Sequence, residues 1–256
     1  MLPFIIKNNL SFKDHFSRQA GDYARFRPQY PSALFEFIRT TAPNDELALD
    51  CATGNGQAAV ALAGHFRNAI AIDASAEQIA SAQPNERVEY RVASAESTGL
   101  STHSISAMTV AQALHWFDRE AFYVEARRVL QPRGVLAVWA YNYLRIAPEV
   151  DPLVRRFHDE IVGPYWPAER KLVGSGYREL PFPIEEIQTP EFQIEVRWSL
   201  AHLLGYLRTW SATQRFMAAN RRDPVELIES ELEQAWGNSA EEKLAIWPLT
   251  VRVGRV

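Results

Sequence analysis

Two acids stand at the ends of short apolar runs, and the loop between them has the spacing of a cofactor site. Asp50 closes Leu47-Ala48-Leu49, and Asp73 closes Ala69-Ile70-Ala71-Ile72. Gly54-Asn55-Gly56-Gln57-Ala58-Ala59 fits G-x-G-x-x-A, in which glycines let the backbone approach a ligand and a helix N-terminus faces it. Asp73 follows at the distance of an acid that accepts ribose hydroxyls. A dinucleotide and S-adenosylmethionine both fit this outline. The Asp50 carboxylate would repel a pyrophosphate, whereas it attracts the ammonium of S-adenosylmethionine, which has no phosphate.

Further candidates follow the later strands. Ser94, Ala95 and Glu96 come after Val88-Glu89-Tyr90-Arg91-Val92, where Ser94 suits an adenine edge. Gln112, His115 and Trp116 follow the apolar run from Ile105 to Ala111, and Tyr141 follows Val135-Leu136-Ala137-Val138-Trp139. Of six histidines, His115 alone directly follows a strand end, so it is the candidate base or substrate donor, with packing on Trp116 as the alternative. Arg170-Lys171, after Tyr165-Trp166-Pro167, sets a cation beside an aromatic wall and could orient an acid; a solvated pair is the alternative. Tyr23, Arg25 and Arg27 could reach a cofactor carboxylate. Cys51 reads as a small buried hydrophobe. Neither metal-spaced ligands nor a nucleophilic triad motif stands out.

The order strand, helix, strand repeats over residues 47–140, which requires parallel pairing and a doubly wound α/β sheet. Ligands bind such sheets at the strand carboxyl ends, where the residues above converge. Ahead of it, residues 11–40 carry a helical pattern broken at Pro28 and Pro31, with Phe12, Phe16, Ala20 and Tyr23 on one stripe and Ser32 as a cap. Ser75 with Gln78 forms a capping box. Residues 145–190 form a proline-rich, aromatic insertion suited to walling a substrate. Strands over 192–198 and 249–253 flank helices over 200–220 and 224–236, and 131–134 reads as a turn.

Composition narrows the function. With 256 residues and 47% hydrophobic content, the chain makes one large or two small domains. A net charge of -4 and a pI near 5.9 argue against nucleic-acid or anionic-membrane partners. No apolar run spans a bilayer, MLPFIIKNNL is too short-cored for a secretory signal, and the lone cysteine fits a reducing, cytoplasmic setting. A monomer or weak homodimer is expected.

These residues resemble a class I S-adenosylmethionine-dependent methyltransferase, and are similar to the trans-aconitate methyltransferase-like (methyltransferase type 11) group. The resemblance is carried by Tyr23-Ala24-Arg25-Phe26-Arg27-Pro28-Gln29-Tyr30-Pro31, Asp50-Cys51-Ala52-Thr53-Gly54-Asn55-Gly56, Ala95-Glu96, Gln112-Ala113-Leu114-His115-Trp116-Phe117-Asp118 and Tyr206-Leu207-Arg208-Thr209-Trp210-Ser211. It implies a Rossmann-like, seven-stranded, mostly parallel sheet with an antiparallel edge and a helical and loop cap. It divides the chain into an N-terminal lid (1–45), a cofactor-binding core (46–142), cap insertions (143–190 and 199–240) and late strands (191–198 and 241–256). It implies that Asp50, Gly54 and Gly56 hold the methionine part, Asp73 the ribose, and Ser94, Ala95 and Glu96 the adenine. Tyr23, Arg27, Ala52, Ala74 and Gln112 complete the cofactor set. The substrate set is His115, Trp116, Tyr141, Trp166 and Arg170. The implied reaction passes a methyl to a small, anionic acceptor, leaving S-adenosylhomocysteine. Two departures stand out: Ala52 where glycine is usual, and Ser94 where aspartate is frequent. A nicotinamide-dependent oxidoreductase and a non-catalytic cofactor-binding module are the alternatives.

Overall fold

The structure is a computed structural model that describes residues 26–256. Tyr23, Arg25 and the helix expected over residues 11–23 lie outside the described residues. Strands β1 (Leu47–Cys51), β2 (Asn68–Asp73), β3 (Val88–Val92), β4 (Ile105–Ala111) and β5 (Leu130–Tyr141) are parallel, with β1 at the centre. They lie in a single mixed sheet in the order β3-β2-β1-β4-β5, with antiparallel strands beyond the last of them. The near-continuous apolar runs of β1 and β4 follow from burial on both faces.

Both faces are covered by amphipathic helices. Leu34, Phe35 and Ile38 of α1 (Ser32–Thr41) and Leu62 and Ala63 of α2 (Gln57–Ala63) pack with Ala48, Ala71, Ala107 and Trp139. On the other face, Phe122, Ala126 and Val129 of α4 (Arg119–Val129) meet Leu49, Met108 and Val138, the alternate residues of the same strands. Each large apolar side chain buried this way contributes about 1.5–3 kcal/mol. Between these helices α3 (Ala76–Ala80) is capped by the Ser75 hydroxyl, which accepts from the Gln78 N–H at 3.2 Å. Ser32 does not cap α1: Pro31 holds that position, and the Ser32 hydroxyl pairs with His65 instead.

The far edge differs from expectation. The sheet has eight strands in seven positions, because β6 (Glu185–Ile187) and β7 (Phe192–Trp198) lie end to end along one face of β8 (Lys243–Arg255). Ile187 opposes Val253 and Phe192 opposes Leu249, so four residues on one side face three on the other. Pro190 falls in that bulge, where it has no N–H to give the ladder. On its other face β8 pairs antiparallel with β5 from Val135–Arg255 to Tyr141–Leu249. Residues 131–134 are not a free turn: they belong to β5, with a register shift opposite Ile105 and Ala107 and Arg133 at φ 67°.

The remaining elements form a cap with its own core. Helix α5 (Asp151–Arg156) runs into a π-helical turn, Phe157–Ile161, and α6 (Lys171–Gly174) follows two short 3-10 turns. The stretch over 200–220 is two helices, α7 (Leu200–Arg208) and α8 (Ser211–Asn220), since Trp210 turns extended to pack between Phe157 and Tyr206. Helix α9 (Glu229–Trp236) closes the unit, whose core includes Leu203, Leu207, Trp236 and Trp247. Among the described residues no helix is long and apolar enough to cross a membrane.

The segment Phe26 to Tyr30 ties cap to sheet. Tyr30 stands edge-on to Trp139 with centroids 5.3 Å apart, and Phe26 packs on α7 beside His202. A β-carbon on Gly205 would come within 2.4 Å of the Phe26 ring, so the glycine is required by close approach. Gly205→Ala should therefore displace Phe26 and lower unfolding free energy by about 1–3 kcal/mol, read as a lower urea midpoint at unchanged slope.

Candidate active site

The carboxyl ends of β1, β2, β4 and β5 form one crevice, and its acidic side is built first from Asp50. Its carboxylate is 1% exposed. Oδ2 accepts from the Thr53 hydroxyl at 2.6 Å and Oδ1 from the Thr109 hydroxyl at 2.7 Å, so the acid ties the glycine loop to β4. Burial pushes its pKa up to about 6, against the pull of the two threonines. Asp73, at the end of β2, accepts from the Gly54 N–H and from the Ser75 N–H, both at 2.9 Å. Both acids thus brace the loop from within.

The loop itself alternates into left-handed backbone: Ala52 at φ 54°, Gly54 at 56° and Gly56 at 84°. Gly56 is required on steric grounds too, since a β-carbon there would lie 2.3 Å from the Tyr90 hydroxyl. Ala52 carries a side chain in a conformation that favours glycine. Ala74 is exposed, Ala95 is buried, and Ser94 makes an isolated bridge to Ser97. Glu96 accepts from the Asp118 N–H at the start of α4. Gln112, at φ 59°, donates from its side chain to the Tyr141 carbonyl at 3.3 Å.

The opposite side of the crevice is cationic and aromatic. Arg27 donates to the Tyr141 hydroxyl at 3.2 Å and lies over the Tyr206 ring, 5.2 Å from its centroid. Arg170 donates to Asn142 Oδ1 at 3.3 Å and lies over Trp166 at 5.2 Å. It is not a solvated surface group: burial lowers its pKa, and among the described residues no carboxylate is bridged to it. Lys171, its neighbour in sequence, is exposed. The 3-10 turn Leu114–Trp116 packs beside the turn Ala168–Arg170, which brings His115 next to Arg170.

His115 is 6% exposed and tilts against Trp116, with ring centroids 4.6 Å apart, while Trp116 keeps 38% of its surface in solvent. Nδ1 lies 2.8 Å from the hydroxyl of Tyr177. Burial and the Arg170 charge push the imidazole down to about 3, so the ring is neutral near pH 7. Sequence reasoning missed Tyr177, Asn142, Thr53 and Thr109. The threonines lay inside quoted or apolar runs, but Tyr177 sits 62 residues from His115 with no periodic signal to join them.

With this geometry in place, the chain can be set beside known proteins. Residues 49–138 match the model of a methyltransferase domain. A candidate methyltransferase from Dictyostelium discoideum is 32% identical over 229 residues, covering 88% of this chain and 87% of its own. The solved structure of a candidate type II methyltransferase from Anaeromyxobacter dehalogenans is 43% identical, covers 90% of this chain and 98% of its own, and superposes with a TM-score of 0.85. The chain belongs to the class I S-adenosylmethionine-dependent methyltransferases.

Membership in that family replaces the hydride-transfer and non-catalytic alternatives; the trans-aconitate likeness rests on the quoted motifs alone. The crevice suits a methyltransferase cofactor on charge grounds. Residues 46–66 contain no Lys or Arg, and Asp50 and Asp73 both stand at the loop, a setting hostile to phosphate and favourable to an ammonium and ribose hydroxyls.

Asp50 also makes a stability prediction. Its folded pKa lies above the ordinary 3.8, so stability is full at low pH and falls as pH rises through about 6. A displacement of this size is worth about 3 kcal/mol. Relative to Asp50→Asn, whose hydrogen-bond changes are independent of pH, the wild type should lose roughly that much between about pH 4 and pH 7 in urea titrations. A pH-independent difference would contradict the raised pKa. Ala52→Gly should raise unfolding free energy by about 0.5–1 kcal/mol, read as a higher urea midpoint.

Proposed function

We propose that this methyltransferase passes the methyl to a carboxylate of a small anionic acceptor held by Arg170. The observation that carries the reading is the half-buried Arg170, which lies over Trp166 and has no bridged carboxylate among the described residues. A guanidinium in that state is held ready for an acid, and the aromatic wall excludes water around it. The acid would lie between Arg170 and His115, beside the Tyr141 hydroxyl.

Asp73 would accept from the ribose hydroxyls, the Gly54 to Gly56 backbone would close on the methionine part, and Ser94 to Glu96 would flank the adenine. Asp50, turned inward on Thr53 and Thr109, would act by its negative field. Arg27 would meet the cofactor or acceptor carboxylate. S-adenosylmethionine, when bound, supplies an electrophilic methyl; on transfer the carboxylate–carbon bond forms as the sulfonium–carbon bond breaks, and no proton is released. The protein's share is alignment and exclusion of water. An alcohol acceptor would need a base, and a His115 held near 3 is too weak a base for that. The contacts of Phe26, Arg27 and Tyr30 with His202, Tyr141 and Trp139 support the reading of residues 1–45 as a lid over this crevice. The buried lone thiol of Cys51 is compatible with a cytoplasmic setting.

Two substitutions separate the two ligands. Arg170→Ala should raise KM for a carboxylate acceptor about 10- to 100-fold, the loss of a charged hydrogen bond, with affinity for S-adenosylhomocysteine unchanged. Asp73→Ala should weaken S-adenosylhomocysteine by about 1–3 kcal/mol in calorimetry. Methylation of phenols or alcohols in preference to carboxylates would sink the acceptor assignment.

A further inference from the structure

Tyr177 sits where a residue is hardest to place. It is 1% exposed and has φ 60°, next to Gly176 at 63°. A side chain at Gly176 would strike Thr250, its β-carbon 2.5 Å from the hydroxyl oxygen. Non-glycine residues in left-handed backbone are costly and persist only where the surroundings fix them. Here the fixing is visible. Arg252 donates to the Tyr177 carbonyl at 3.0 Å and the Leu180 carbonyl at 2.8 Å, and its other nitrogens bind Glu186 at 2.9 Å. The Tyr177 N–H closes on the Leu172 carbonyl. A guanidinium from β8 thus holds the turn that aims the phenol at His115.

The hydrogen bond of that phenol bears on which imidazole nitrogen carries the proton. Burial keeps the Tyr177 phenol protonated. Its own proton then needs an acceptor, and among the described residues the atom in reach is His115 Nδ1 at 2.8 Å. Were Nδ1 protonated, the hydroxyl proton would be left buried without a partner, which is unfavourable. Nδ1 therefore accepts, and the neutral ring bears its proton on Nε2. Nε2 has no partner among the described residues and is not sealed from solvent.

We propose that Tyr177 is a positioning residue that locks His115 as the Nε2–H tautomer, making it a neutral hydrogen-bond donor to the acceptor and not a base. Resting on the carboxylate reading above, this adds a specificity device: the acceptor must arrive already ionised. Arg170 and Nε2–H together then supply a charged and a neutral donor for one carboxylate, whose attacking oxygen needs no proton removed.

The test reads the tautomer directly, without substrate. In long-range nitrogen–proton spectra of the 15N-histidine-labelled protein, His115 should show a bare Nδ1 and a protonated Nε2, unchanged across about pH 6 to 8. In Tyr177→Phe the pattern should move to a mixture of tautomers, and kcat/KM for a carboxylate acceptor should fall roughly tenfold or more. A wild-type His115 protonated on Nδ1, or an unaltered tautomer in Tyr177→Phe, would overturn the proposal; the wild-type spectrum decides alone if the variant does not fold. Expected spectra with no carboxylate methylation would uphold the role of Tyr177 while removing the acceptor assignment.

Discussion

A carboxylate with almost no access to water sits at the middle of the sheet, and the glycine loop takes its shape from it. Asp50 joins Thr53, in the loop, to Thr109, in the neighbouring strand, so the first turn of the fold is fastened across β1 and β4. Removing a charge from water costs several kcal/mol, and two hydroxyls recover only part of it. The residue is raised to about 6 as a result. Its retained charge gives the crevice a negative pole that no surface salt bridge could supply through solvent.

Across the crevice the polarity reverses. Arg27 and Arg170 stand among Tyr141, Tyr206 and Trp166, whose aromatic faces lie under or beside both guanidinium groups and stabilise them. On the proposed carboxylate reading, a methyl passing to an anion beside Arg170 would meet a field already arranged, the usual source of catalytic electrostatics. The cap closes the cationic side with its own core, held to the sheet through Tyr30 on Trp139 and through Tyr206 of α7 against Trp247 of β8.

Much of this was legible because local signals agree with global ones. The bounds of β4 follow from an apolar run and those of β3 from an alternating one, and the order of elements over residues 47–140 dictates the doubly wound sheet. Asp50, Gly54 and Gly56 could be named from spacing because one strand end and its loop carry them, and Asp73 because it closes the next strand. Long-range pairing is where the sequence ran out. Nothing local shows that the turn at Trp210 splits a helix to serve a tertiary contact, or that Arg252 holds a turn 75 residues away. Asp50 was legible as an acid at a strand end, but its inward orientation depends on Thr109, which lies 59 residues on. Tyr177 was legible only as one aromatic of the proline-rich insertion, since its particular role lies in a backbone angle and one distant nitrogen.

The broken outer edge has a bearing on how the molecule behaves among its copies. An unpaired strand is a template for any other chain that can lay its backbone alongside. Here the exposed row is divided into pieces of three and seven residues by a bulge that contains Pro190, which has no donor to offer. Charged residues Glu185, Glu186, Glu195 and Arg197 punctuate both pieces. Edge-to-edge growth of the sheet is therefore discouraged by geometry and charge together, and the protein can keep a long β8 without presenting a sticky seam.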